Sequence, residues 1–530
     1  VGELAVIGRR DFLASVGVGW FADQALPDRG PIAGSVLGAS HRVGHLLRGT
    51  PPKADGPAER ADIVIVGSGA SGLNAAWRLQ RAGVSALVLE LEPFVGGTST
   101  WGEDGVVPHP FGAHYLPVPE RHARSVSIFL EHLGVITGWD AAGRPRLRAE
   151  LLCHAPEERV YYRDRWYPGL VPIDALDPAD RADMERFRDV QQKMLHWKGR
   201  DGRHAFAIPR EHSSTDPDVL ALDTMTMDAW LGDNGFTGDY VRWYTRYATL
   251  DDFGGELDDV SAWAGWHYFA SRRMETEQTE GSRYLVWPQG NGWLIERLVA
   301  DLPGEIRTRA LVTSVAGDKS GVTVSYLDTE RRTLHRVRAR AVIVALPGFI
   351  AGRIVQGLTP PSRKASPWVV SNLHVRRPEE PNRAWDSVIV GSDSLGYVDA
   401  GHQLTTPMDR TVLTHFRAFG AADARGTRQR LLQRSWVDHA SAALNDVATV
   451  HPEIVDQTDR IDVMVWGHAM PRPTPGFLGE KMPLWLGDRI AWAHVDQTGF
   501  ALFEEASYRG MRAAEAVLDH LDVKRGSSYL

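Results

Sequence analysis

The chain has 530 residues, 43% of them hydrophobic and 24% charged, with a formal net charge of -8. That length supports more than one core, and the negative balance argues against a nucleic-acid partner, which needs a positive footprint. Cys153 is the single cysteine, so neither an intrachain disulfide nor a cysteine-based zinc site can form. The 18 tryptophans are expected mainly in core packing, with some free to line an apolar pocket.

Near the start, Arg9-Arg10-Asp11-Phe12-Leu13 resembles a twin-arginine export motif, and the stretch from Phe12 to Ala22 carries no charge until Asp23. The apolar run is too short to cross a bilayer as a helix, so no transmembrane span is expected. The resemblance implies export of a folded, cofactor-loaded protein to the periplasm, with residues 1–60 as signal and linker; the alternative is a cytoplasmic chain. His41 and His45 have metal-like spacing, but no neighbouring Glu and no Cys supports a metal, so they are read as structural and no metal site is expected. From Gly49 to Arg60 the prolines and mixed charges read as a linker.

Ile63-Val64-Ile65-Val66 has the pattern of a buried strand, Gly67 to Gly72 is glycine-rich, Leu73 to Arg81 is helical in pattern, and Ala86 to Glu90 is a second strand. This is the strand–turn–helix–strand unit of a dinucleotide fold. In Gly67-Ser68-Gly69-Ala70-Ser71-Gly72, the first glycine permits the tight turn, Gly69 lets backbone approach a pyrophosphate, and Gly72 allows close helix–strand packing, with the helix N-terminus facing the phosphates. Glu90 lies 23 residues after Gly67, where a ribose-binding carboxylate belongs, and an acid there disfavours a 2′-phosphate.

The stretch from Glu90 through Pro93, Gly96 and Gly97 resembles the segment after the second strand in flavin amine oxidases and phytoene desaturases. Phe111-Gly112-Ala113-His114-Tyr115 resembles that superfamily's turn beside the isoalloxazine. Pro288-Gln289-Gly290-Asn291-Gly292, the strand from Val312 with its return at Ala341–Pro347, and Arg489–Asp496 leading through Thr498-Gly499 into a helix follow in the same order. The resemblance implies FAD as cofactor, with Gly67, Gly69, Ser71, Gly72, Glu90, Gly97, Thr98, Gly112, Ala113, His114, Val312 and Asp496 in contact with it. Thr98 stands where the superfamily usually carries Arg.

The fold class expected is α/β. It comprises a Rossmann-like FAD-binding domain of discontinuous segments (61–117, 284–358 and 471–530) and an α+β substrate domain (118–283 and 359–470). By resemblance the flavin would accept hydride from a substrate C–H, most readily at the C–N bond of an amine or polyamine, and pass electrons to oxygen, a quinone or a cytochrome. Asn372 stands at the position of the superfamily's Lys, Phe500 at one ring of its aromatic cage, and His468 in the segment expected to carry the other. These three are the catalytic candidates, with His468 able to titrate near neutrality. Asp251-Asp252, after Tyr240, Trp243, Tyr244 and Tyr247, could hold an ammonium, although a helix cap or solvated turn is the plainer reading. His267 reads as a core histidine. Two other readings stand beside amine oxidation: a desaturase or isomerase of an apolar, polyene-like substrate, and a non-catalytic flavin-binding protein.

Overall fold

The computed structural model describes residues 5–8, 31–38, 40–49, 57–103, 107–273, 284–356, 363–378, 382–406 and 408–530. The Arg9-Arg10 pair and the uncharged stretch after it lie outside the described residues.

Continuous apolar runs with glycine-rich turns generate a parallel sheet. The strand Glu59–Val66 pairs in parallel with Ala86–Leu89 on one side and with Thr333–Val344 on the other. Its last four residues are buried on both faces, which is why this sequence lacks polar alternation. The long strand Thr333–Val344 forks. Its first half closes an antiparallel meander with Gly321–Asp328 and Ala310–Asp318, and its end pairs in parallel with Ile490–Trp492. One face is covered by the helices Ala70–Gln80 and Phe503–His520. A Cβ at Gly510 would stand 2.1 Å from the Ser71 carbonyl, so these helices cross at backbone contact. Buried Arg78 ties them further through Nε to Glu515 at 2.9 Å.

A second sheet has nine strands, in the order Ala5–Ile7, Ile32–Gly38, Thr458–Pro471, Ala365–Arg376, Arg410–Ala418, Tyr397–Asp399, Asp386–Ile389, Glu158–Tyr162, Arg165–Pro168. The helices Ala424–Gln433 and Trp436–Ala448 pack on one of its faces. A helical region from Pro178 to Ala270 carries its own aromatic core around Phe187, Trp230, Trp263 and Trp266. The whole is α/β, a Rossmann-like domain joined to an α+β domain.

One expectation needs correcting. Residues 32–38, taken as signal and linker, form a strand parallel to Thr458–Pro471, and Ile32 is fully buried. The partner strand lies more than four hundred residues along the chain, so no local pattern announces the pairing.

Candidate active site

The dinucleotide turn is built from contacts a side chain would break. Gly67 has φ +101° and its Cβ would stand 2.8 Å from the Ala345 carbonyl; a Cβ on Gly72 would stand 2.0 Å from the Gly67 carbonyl. Gly69 differs: nothing lies within 4 Å of its Cβ position. It borders open space at the N-terminus of Ala70–Gln80, facing Gly96 and Gly97 across a parallel bridge. A cradle open at Gly69 and closed at Gly67 and Gly72 fits a pyrophosphate. Glu90 accepts from Ser68 N–H, Ser68 O–H and Glu92 N–H, which holds its carboxylate beside the turn. Ala310, which opens the meander strand, donates its N–H to the Glu90 carbonyl, and buried Val312 follows on that strand. These residues fit FAD.

The flavin-side turn is fixed by backbone. Ala113 N–H donates to the Thr98 carbonyl, and the Ala113 carbonyl accepts from Asn291 N–H. A Cβ on Gly112 would meet the Thr98 oxygen at 2.2 Å. Thr98 itself is exposed. The Ser71 hydroxyl donates to the Ala493 carbonyl at 2.7 Å, so it secures the helix start to the C-terminal strand and its proton is not free for a phosphate. Asp496 accepts from Gly348 N–H at 2.7 Å and lies 3.2 Å from His494 Nδ1. Burial alone would raise its pKa, but His494 and the Gly348 amide outweigh it and hold it low.

Behind that turn lies a cluster of buried acids and aromatic rings. Tyr115, Asp251, Tyr268 and Asp386 are deep in the fold, and each keeps some accessible surface, as do Trp243 and Tyr284. Tyr115, Tyr284 and Trp385 meet as a ring cluster, and His114 stacks on Phe416 at 4.4 Å beside Trp385. The parallel register of Glu158–Tyr162 on Asp386–Ile389 sets Glu158 directly against Asp386. Like charges in register are destabilising unless something compensates them. Burial, then Glu158 and Asp251, push Asp386 well above the usual carboxylate range. Burial, then neighbouring Asp252, push Asp251 up to about 7. Arg272 binds both oxygens of Asp252, at 2.6 and 2.8 Å. Among the described residues, that leaves the cation count short by the charges of Asp251 and Asp386. Glu504, in the first turn of the C-terminal helix, is buried and pushed to about 7, chiefly by burial.

The expected catalytic residues each have their own set of neighbours. Asn372 is fully buried on the strand Ala365–Arg376 and donates from Nδ2 to the Pro110 carbonyl at 3.0 Å. Trp466 Nε1 donates to the Phe111 carbonyl at 2.6 Å. Both therefore hold the flavin-side turn from behind. Phe500 has no exposed surface: it stacks on His267 at 4.5 Å and packs against Trp263, Phe253 and Phe477. A ring enclosed on all sides is a core ring, not the wall of an open cage. His267 bonds the Ala207 carbonyl and is pushed down to about 3 by burial, then by Arg272. His468 keeps exposed surface and stacks on Phe349 at 4.3 Å. Desolvation and then Arg428, against Asp496, push its pKa down to about 4, so it is neutral at physiological pH and does not titrate there.

Sequence reasoning also undervalued Asp251-Asp252, which sit in the last turn of the helix Asp239–Phe253, turned inward rather than solvated. It missed Glu158, Asp386, Tyr268, Tyr284 and Arg272 as partners. Acid beside aromatics was the available signal. Among the described residues, no group of His, Cys, Asp and Glu is placed to hold a metal ion, and no helix is long and apolar enough to cross a membrane.

Comparison with known proteins agrees with this geometry. The profile described as flavin containing amine oxidoreductase matches residues 70–518. An L-amino acid dehydrogenase of Synechocystis sp. is 25% identical over 306 residues, 56% of this chain and 58% of that protein. The flavin-containing amine oxidase A of Bos taurus is 26% identical over 300 residues, 55% of this chain and 51% of that protein. The chain thus spans little more than half the length of either relative. Among solved structures, a triple mutant of putrescine oxidase superposes with TM-score 0.65 at 17% identity, over 87% of this chain and 100% of that one. Cyclohexylamine oxidase from Brevibacterium oxydans IH-35A superposes with TM-score 0.61 at 17% identity, over 87% and 99%. At such identities the superpositions show the fold alone. The profile, matching most of the chain, carries the assignment: the chain belongs to the flavin-containing amine oxidoreductase family of FAD-dependent oxidoreductases.

Proposed function

We propose that this protein oxidises the C–N bond of a cationic amine, with a diamine or polyamine the best-fitting class. The observation that carries the reading is the buried cluster in which Asp251 and Asp386 sit among aromatic rings without, among the described residues, a matching set of cations. Buried carboxylates left unpaired are costly, and a bound ammonium relieves that cost while meeting the faces of Tyr and Trp rings. Bound FAD supplies the acceptor for a hydride from the carbon next to nitrogen. The chain's own residues bind the distal ammonium, exclude water with Tyr115, Tyr268 and Tyr284, and hold the flavin-side turn through Asn372 and Trp466. An apolar polyene gains nothing from these acids and leaves them desolvated. An amino acid brings a carboxylate, and the buried arginine that could receive it, Arg272, is already paired with Asp252.

The test is anaerobic mixing of the yellow protein with diamines, monoamines, amino acids and polyenes. Rapid bleaching by di- and polyamines supports the reading; bleaching by polyenes alone, or by nothing, removes it. The electron acceptor, whether oxygen, quinone or cytochrome, is then read from which of them restores the colour. We also propose export through the twin-arginine pathway, on the Arg9-Arg10 motif. Replacing Arg9 and Arg10 by Lys is expected to retain the protein in the cytoplasm, and a parent already cytoplasmic in its host would end this proposal.

A further inference from the structure

The segment Ser40–Arg48 plays no part in the site described above, although it lies against the dinucleotide turn. Ser40 N–H and O–H donate to the two oxygens of Glu92, both at 2.7 Å, two residues beyond Glu90. Gly44 lies against Leu91, and Leu47 is buried in the same apolar cluster as Val64, Val66, Leu87 and Leu89, from the strands that lead into Gly67 and Glu90. Arg353 Nη1 donates to the Leu47 carbonyl, joining the segment to the helix Gly348–Ile354, whose first amide is held by Asp496. His45 and Arg48 are exposed, and both lie within electrostatic reach of His468. The turn itself brings no cation: neither Gly67–Gly72 nor Gly96–Thr98 contains a basic residue, while Glu90, Glu92 and Asp496 put acids at its edges.

We propose that Ser40–Arg48 is a clasp over the adenosine diphosphate half of FAD, latched by Ser40 on Glu92, with Arg48 supplying a positive charge the phosphates otherwise lack and His45 beside it as a ring hydrogen-bond donor. A dinucleotide carries its charge at the diphosphate, and helix amides alone give it only partial charges. The clasp concerns the cofactor and stands or falls independently of which substrate is oxidised.

The test follows FAD release from the full-length yellow protein by recovery of flavin fluorescence on dilution. A His45→Ala, Arg48→Ala double variant removes two exposed side chains without touching the packing of Leu47. It is expected to release FAD about tenfold faster than the parent at low salt, the size of one charge-assisted contact, with the difference shrinking at high salt. Ser40→Ala is expected to release faster by a margin that salt does not change, because it loosens the latch and leaves the charges. Release within twofold of the parent in both variants would overturn the clasp. So would a double variant whose acceleration is equal at low and high salt. If Ser40→Ala does not fold, the double variant decides alone.

Discussion

Asp251 makes the clearest demand on experiment, because its environment is at odds with its charge. Burial and Asp252 push it up to about 7, while Arg272, the nearby cation, is committed to Asp252. Raised acids give up their proton as pH climbs through the raised value, so the carboxylate able to attract an ammonium becomes more abundant above neutrality. Half-saturation by a diamine is therefore expected to fall as pH rises through about 7. Asp251→Asn should raise it by roughly tenfold to a hundredfold, the worth of about 1.5–3 kcal/mol for a contact to a charged group, and should flatten that pH step. A parent and variant with parallel pH profiles would show that Asp251 does not meet the substrate. Gly69 makes a second demand. Its Cβ direction opens onto the space a pyrophosphate needs, so Gly69→Val should give a folded but colourless protein, checked by flavin absorbance alongside circular dichroism.

At the scale of elements, legibility follows sequence distance. Strand, turn and helix from Ile63 to Glu90 are readable because each signal sits within a few residues of its neighbour: an apolar run, three glycines, a helical pattern, an acid. Asp251, Glu158 and Asp386 are not readable together, because only strand pairing and the packing of a distant helix bring them to one space. Phe500 was expected at the flavin for its place after the last turn, but its neighbours Phe253, Trp263 and His267 come from helices whose packing no local pattern reveals. The strand Ile32–Gly38 is the plainest such case. A Cβ at Gly34 would stand 1.9 Å from the Ile461 carbonyl and 2.6 Å from Trp436 Nε1, which itself bonds that carbonyl. Gly34→Val is expected to destabilise the protein by at least about 2 kcal/mol, as overpacking of a close contact does, seen as a lower urea midpoint. An unchanged midpoint would mean that this strand is not part of the working fold.

Across the whole molecule, the two sheets divide the labour. The parallel sheet and its glycine turn present a dinucleotide at strand ends, and the nine-stranded sheet with the helical region encloses acids and aromatic rings behind the turn at Phe111–Tyr115. Asn372 and Trp466 reach from the second sheet to the backbone of Pro110 and Phe111, so that turn is tied to both sheets. On the proposed reading, this arrangement sets the acids Asp251 and Asp386 where they would attract a cationic substrate. The most direct measurement is stopped-flow reduction of the flavin by a diamine under anaerobic conditions, followed across pH 6 to 9 (about one unit below to two above the raised Asp251 value) in the parent and in Asp251→Asn. The account expects fast bleaching in the parent, half-saturation that tightens with pH, and a variant that saturates only at much higher diamine and without the pH step. A parent that no cationic amine bleaches, or a variant indistinguishable from it, would contradict the account.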